Sequence, residues 1–115
     1  MILAIVGGRD FNNVDLFLET VTKFNPSAII SGGAAGADTL AEQYAKTHAI
    51  PLQIFQADWK KYGRQAGPIR NKLIVESSDE VLAFWDGSSK GTQSTIKLAT
   101  KANKKVHVVS YCKVL

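Results

Sequence analysis

Five short apolar runs punctuate this 115-residue chain: Ile2–Val6, Ala28–Ile30, Pro51–Phe55, Val81–Trp85 and Val106–Val109. Near-continuous apolarity over so few residues marks strands covered on both faces. Between the first two runs, Val14, Phe17, Leu18 and Val21 recur at helical spacing; between the second and third, Ala37, Leu40, Ala41, Tyr44 and Ala45 do the same. A third helix is expected over Pro68–Glu76, and a fourth from about Gly91 to Ala102 with Ile96 and Ala99 inward. Strand and helix alternating over short connections admit few arrangements. The one expected is α/β, a mostly parallel five-stranded sheet between two helical layers, joined by right-handed crossovers. No repeat, low-complexity tract or linker interrupts the pattern, so residues 1–115 read as one domain.

The strand ends carry the chemistry. Ile29-Ile30-Ser31 runs into Gly32-Gly33-Ala34-Ala35-Gly36-Ala37-Asp38, Ile2–Val6 runs into Gly7-Gly8-Arg9-Asp10, and Val81–Trp85 runs into Asp86-Gly87-Ser88-Ser89-Lys90-Gly91-Thr92. A strand feeding a glycine-rich turn and then a helix aims backbone N–H groups and the positive end of a helix dipole at one point, which suits a phosphate. Three such ends on one sheet would line one crevice, at the carboxyl edge of the strands. The Gln56–Gly67 stretch leaves that same edge and reads as an irregular lid or wall.

The formal charge is +4 and the pI about 9.3, compatible with an anionic ligand without demanding nucleic acid. Lys60, Lys61, Arg64, Arg70 and Lys72 lie in a span with no acid between Asp58 and Glu76. After Asp86 there is no acid, while Lys90, Lys97, Lys101, Lys104, Lys105 and Lys113 follow, the pattern of a solvated helix face and tail. The single cysteine, Cys112, excludes an internal disulfide framework, and His48 and His107 are too far apart to suggest a metal site. Met1–Val6 is too short for a signal segment or a membrane span. A reducing, cytoplasmic setting is expected.

Gly32-Gly33-x-x-Gly36-x-Asp38 is neither the GxGxxG fingerprint nor a Walker A loop, but it keeps their logic: no Cβ blocks a phosphate from the backbone. Asp38 falls in a first helical turn, where it either complements the dipole or accepts from a ribose hydroxyl. Arg9 is a candidate phosphate clamp, as is Arg70 beside the proline that opens the third helix; Asn71 is a weaker candidate. Ser89 and Thr92 can cap the fourth helix or donate to phosphate. Trp59 and Tyr62 suit base stacking or loop anchoring, and Trp85 suits the core. No serine or cysteine is placed as a nucleophile beside a base.

Taken in order, Gly7-Gly8-Arg9-Asp10-Phe11, Ser31–Asp38, Ala66–Asn71 and Trp85–Thr92 resemble the SLOG superfamily. This Rossmann-like group includes the LOG phosphoribohydrolases and DNA-processing protein A. The likeness is strongest to its small YspA/YpsA-like members, met in bacteria and phages, and it covers nearly the whole chain. It implies a sensing or sequestering domain, expected to be a homo-oligomer, that holds a nucleoside phosphate or an ADP-ribose-like signal; no separate cofactor is implied. In that reading Gly32, Gly33 and Gly36 present N–H groups to phosphate and Gly91 and Thr92 form the opposite wall. Arg9 and Arg70 neutralise charge, Asp38 contacts ribose, and Gly8, Asp10, Ser31, Asn71, Asp86 and Ser89 complete the site. LOG enzymes cleave an N-glycosidic bond with an arginine, matched by Arg70, and a glutamate after a Gly-Gly-x-Gly-Thr turn. Here Gln93-Ser94-Thr95 follows Gly91-Thr92, so a glycosidase would have to rely on Arg70 with Asp38 or Asp86. DNA-processing protein A shares the Ser-Gly-Gly turn and an Arg-Asn pair like Arg70-Asn71. That likeness implies a further alternative, single-stranded DNA binding through Lys60, Lys61, Arg64 and Lys72.

Overall fold

The computed structural model describes residues 1–112; Lys113, the last of the basic C-terminal run, lies outside them. The strands are β1 (Ile2–Gly7), β2 (Ala28–Ser31), β3 (Leu52–Ile54), β4 (Glu80–Trp85) and β5 (Lys105–Ser110). They form one sheet in the order β3-β2-β1-β4-β5, every pairing parallel. The helices are α1 (Val14–Val21), α2 (Ala37–Thr47), α3 (Trp59–Tyr62), α4 (Ala66–Ser77) and α5 (Lys90–Lys101). The expected α/β, Rossmann-like sheet is present.

Side-chain alternation along the central strands divides the core in two. Leu3 and Ile5 of β1 and Leu82 and Phe84 of β4 face one layer, packing with Phe17 and Val21 of α1 and Ala37, Ala41 and Ala45 of α2. Ala4, Val6, Val81 and Ala83 face the other, against Ile74 and Val75 of α4 and Ala99 of α5. The first layer is built on aromatics: the Phe84 ring stacks on Phe11 at 4.6 Å and on Phe17 at 5.5 Å between centroids. Truncating Phe84 to alanine would cost about 3–5 kcal/mol. Three alanines on the buried face of α2 let it lie close to the sheet. A methyl group on Gly7 would come within 2.6 Å of the Ala37 Cβ.

Three features depart from the sequence reading. The edge strands are half open rather than covered on both faces, with Ile54 of β3 and Val108 of β5 well exposed. An apolar run does not distinguish a central strand from an edge one. The Gln56–Gly67 stretch is not irregular. Asp58 caps α3 by accepting from the Lys61 N–H at 3.1 Å, and a 3-10 turn over Gly63–Gln65 leads directly into α4. α4 therefore begins at Ala66, two residues before Pro68, which still stands in the first turn where its missing N–H costs nothing. Finally, Trp85 is not core. It is only half buried, and its indole N–H donates to the Ser89 carbonyl at 3.1 Å, closing the turn after β4.

With β1 flanked by β2 and β4, the chain reverses direction across the sheet between β1 and β4. Connections from the two strands therefore leave toward opposite faces and open a crevice at their carboxyl ends.

Candidate functional site

That crevice has a volume of about 490 Å³. Its first wall is the loop after β1. The Gly8 N–H donates to the Phe84 carbonyl at 3.1 Å, and the Gly8 carbonyl accepts from the N–H groups of Phe11 and Ala37 at 3.2 and 3.3 Å. The loop is clamped from both sides. Beneath it, the start of α2 packs so closely that a methyl group on Gly36 would overlap the Gly8 carbonyl, and Gly36 itself sits at φ 76°, ψ −124°, a conformation open essentially to glycine. On the other side, the Tyr111 hydroxyl occupies the space that a Gly8 side chain would need. The same hydroxyl donates to Asp10 Oδ1 at 2.7 Å. Burial, and then Asp10, hold the Tyr111 phenol well above the ordinary tyrosine range. Arg9, at the crest of this clamped loop, is exposed into the crevice.

The second wall is the glycine turn after β2, held by side chains from α2. The Ser31 hydroxyl, fully buried, bonds Glu42 Oε2 at 3.0 Å and accepts from the Gly33 N–H at 3.2 Å. Asp38 Oδ2 accepts from the Ala34 N–H at 3.1 Å. The N–H groups of Gly33 and Ala34 are thus engaged by Ser31 and Asp38, and the turn is rigid before any ligand arrives. Glu42 was not singled out by sequence reasoning. Its spacing four residues after Asp38 on one helix was the available signal.

Arg70 of α4 closes this side. Its Nη1 donates to the Gly32 carbonyl at 2.7 Å and its Nε to Asn71 Oδ1 at 3.0 Å, so Asn71 serves to orient the arginine. Burial weakens the hold of Arg70 on its proton; Asp38 opposes that effect and the nearby positive charge of Arg9 adds to it. Asp38 is only 5% exposed, and its Oδ1 has no hydrogen-bond partner among the described residues. Burial is the main reason its pKa is raised from 3.8 to about 6; Glu42 pushes the same way, while the Ala34 N–H, Arg70 and Gly32 resist.

The third wall is the β4–α5 turn. Asp86 Oδ1 accepts from the N–H groups of Ser88 and Ser89 at 2.9 and 2.8 Å. Ser89 stands at the N-cap of α5, but its hydroxyl meets the Thr92 hydroxyl at 3.2 Å instead of capping a backbone N–H. The first turn of α5 thus faces the crevice without a side-chain cap and without an acid, and Gly91 leaves its surface open.

Of the residues expected in the site, Gly8, Arg9, Asp10, Gly32, Asp38, Arg70, Asn71, Asp86, Ser89, Gly91 and Thr92 line this one crevice. Ser31 lies behind it, Gly33 faces an adjoining lobe, and Gly36 supports the first loop from below. Val6, Gly7, Ala34, Ile74, Ser88 and Thr95 complete the lining. Among the described residues no group of three or more His, Cys, Asp and Glu side chains could hold a metal ion, and no helix is long and apolar enough to cross a membrane.

Comparison with known proteins agrees with this architecture. The family model described as YspA, cpYpsA-related SLOG matches residues 1–62. The Gene 61 protein of Mycobacterium phage D29 is 34% identical over 80 residues, a match that spans 64% of this chain and 64% of the phage protein. DNA processing protein A from Helicobacter pylori, whose structure was described for its single-stranded DNA binding mode, superposes with a TM-score of 0.70 at 23% identity. That superposition covers 96% of this chain and 66% of the other, and it speaks for the fold.

Proposed function

The chain belongs to the YspA, cpYpsA-related SLOG family, and from that premise we propose that its crevice binds a nucleotide or nucleotide-derived ligand through the phosphate. The observation that carries the reading is the pairing of Arg9 and Arg70. Two guanidinium groups line one crevice close enough for the charge of one to disfavour the other, with Asp38 the acid set against Arg70. An anion between them relieves that repulsion. The uncapped first turn of α5 supplies N–H donors on the facing wall, and Thr92 and Ser89 add hydroxyls. The orphan Asp38 Oδ1 is an acceptor awaiting a donor, and a sugar hydroxyl is the donor a nucleotide brings. With Gln93 following Gly91-Thr92, the crevice lacks the carboxylate that glycosidic cleavage would need there, and Asp86 already holds two backbone N–H groups. The role is binding.

A second reading, single-stranded DNA, is favoured by one specific feature. Lys60, Lys61 and Arg64 are exposed around Trp59, and Lys72 of α4 is exposed as well, paired only loosely with Glu76 at 3.9 Å. Basic side chains beside an open aromatic can track a strand.

A thermal-shift series separates the two. Nucleoside mono- and diphosphates and an oligo-dT strand are each tested at low and high salt. A ligand at about 100 times its dissociation constant adds about 2.7 kcal/mol, a shift of several degrees for a domain this size. The nucleotide reading expects a shift that survives salt and is lost in Arg70→Ala. A shift with oligo-dT alone that collapses in salt supports the second reading. Release of free base from the nucleotide would overturn the assignment of binding without cleavage.

A further inference from the structure

The sheet is left open along β3, where the crevice needs no opening. The Ile29 N–H donates to the Pro51 carbonyl and the Phe55 N–H to the Ser31 carbonyl, so residues 51, 53 and 55 turn their backbone groups toward β2. Alternation along the strand then points the N–H and C=O groups of Leu52 and Ile54 outward, where no further strand pairs with them. Edges of this kind are commonly blunted by charged side chains. Here the chain carries no Asp, Glu, Lys or Arg from Ala49 to Ala57, and the Ile54 side chain is 39% exposed. The surface continues into a second lobe of about 450 Å³ beside the crevice, walled by Gln56, Ala57 and Trp59. The join is at Gly33, where a methyl group would come within 3.0 Å of Ile54 Cγ2 and 2.9 Å of Gln56 Cγ. Trp59 is 53% exposed, with only one edge of its ring seated near Gly67 in the first turn of α4. Beyond it Lys60, Lys61 and Arg64 are exposed. Asp58 is the only acid between Glu42 and Glu76, and it is engaged in capping α3. Open backbone groups, an apolar lobe and a basic rim thus follow one another on one surface.

We propose that this surface docks an extended acidic segment of a protein partner. The segment's backbone pairs with Leu52 and Ile54 as an added strand, one apolar side chain enters the lobe against Trp59, and its carboxylates meet Lys60, Lys61 and Arg64. Charge complementarity sets the sign of the partner, because the rim is basic and its one acid is occupied. The edge sets the partner's class. A peptide backbone presents amide donors and acceptors at the repeat of the strand beside it; a nucleic acid strand has no such alternation, and its bases gain no stacking from the aliphatic Ile54. The open edge is the observation that favours a peptide over DNA on these side chains. A second copy of this chain, set edge to edge about a two-fold axis, would bring two basic rims together. With β3 only three residues long, the paired segment is short, and the lobe and rim supply the rest of its contacts. The docking site does not depend on what the main crevice holds.

Selection of displayed random decapeptides on the full chain, followed by fluorescence titration of synthetic copies of the recovered peptides, tests this. Recovered sequences are expected to carry Asp or Glu together with Val, Ile or an aromatic residue at alternate positions. N-methylation of such a peptide should weaken binding at least about fivefold at one set of alternate residues and by less than about twofold at the other, which charge attraction alone does not produce. Ile54→Pro removes one outward N–H and is compatible with an edge strand; it should weaken binding by a similar factor. The N-methylated peptides probe the same contact on the unaltered protein, so the test does not rest on the proline variant folding. Lys60→Glu combined with Lys61→Glu should weaken binding at least about tenfold at low salt and less at high salt. Recovery of no peptide, or of peptides without acidic enrichment, overturns the proposal. So does equal tolerance of N-methylation at every position, or binding that survives the substitutions. Oligo-dT bound here in place of any peptide assigns the surface to DNA, and a dimer in light scattering that Ile54→Pro dissociates assigns it to a second copy; either result overturns the proposal.

Discussion

Replacing Asp38 by asparagine tests the electrostatics of the crevice without a ligand. In the folded protein the carboxyl titrates near 6, against 3.8 for an ordinary aspartate, chiefly because it is buried. At about 1.4 kcal/mol per pH unit, that displacement corresponds to about 3 kcal/mol. The folded state binds this proton more tightly than the unfolded chain. The stability it contributes is therefore fully present below pH 3.8 and is lost as pH rises through about 6. An asparagine side chain cannot ionise, so the Asp38→Asn protein does not suffer that loss. Its amide oxygen can still accept from the Ala34 N–H, but its NH₂ falls where Oδ1 now has no partner, a pH-independent cost of about 1–3 kcal/mol. Urea unfolding of both proteins from about pH 4 to 7.5 isolates the effect. Taking the difference between Asp38→Asn and the parent at each pH cancels every other titrating group. The difference should move in favour of the variant by up to about 3 kcal/mol over that range, most steeply at about pH 5. A difference that stays flat within about 0.5 kcal/mol would refute the reasoning, because it would mean that the carboxylate is solvated and the orphan oxygen is not buried in any energetic sense.

Two further outcomes concern the clamp on the first loop. Gly36→Ala combines a glycine-only backbone conformation with overlap against the Gly8 carbonyl and an approach of 2.7 Å to the Arg9 carbonyl oxygen. It should cost about 3 kcal/mol or more, read as a fall in Tm of roughly 10 °C; a shift under about 2 °C would contradict the close packing of α2 on that loop. Tyr111→Phe keeps the ring on Phe11, whose centroid lies 4.8 Å away, and removes only the hydroxyl bond to Asp10. Stability should fall by about 1 kcal/mol, with amide exchange accelerated at Gly8–Asp10 and unchanged in the core strands; uniform acceleration would assign Tyr111 to general packing.

How much of this could be read from the chain divides along physical lines. Features set by local pattern were legible. The five strands fall where the apolar runs lie, and Phe17 and Val21, like Ala37, Ala41 and Ala45, are buried where helical spacing put them, whereas Val14 and Leu18 of the same set are exposed. The convergence of the three turns on one crevice followed from parallel topology, since all strands then end at the same edge. Features set by tertiary contact were not legible. Ser31 and Asp38 were read as facing a ligand, yet each spends a side-chain oxygen on the N–H groups of its own turn, an alternative that glycine and aspartate spacing cannot distinguish. Asp58 as the cap of a four-residue helix was hidden by Trp59-Lys60-Lys61-Tyr62, which has no apolar period. The grip of Tyr111 on the first loop joins residues 101 positions apart and leaves no trace in either segment.

The measurement that bears most directly on nucleotide binding is a titration of the ¹⁵N-labelled protein with AMP, followed by two-dimensional amide spectra. The account predicts saturable shifts at Gly8, Arg9 and Gly32, at Gly91 and Thr92 at the start of α5, and at the Arg70 Nε–H, the groups that line the crevice together. Shifts confined to Lys60, Lys61 and Arg64, or no saturable shifts at millimolar AMP, would contradict it.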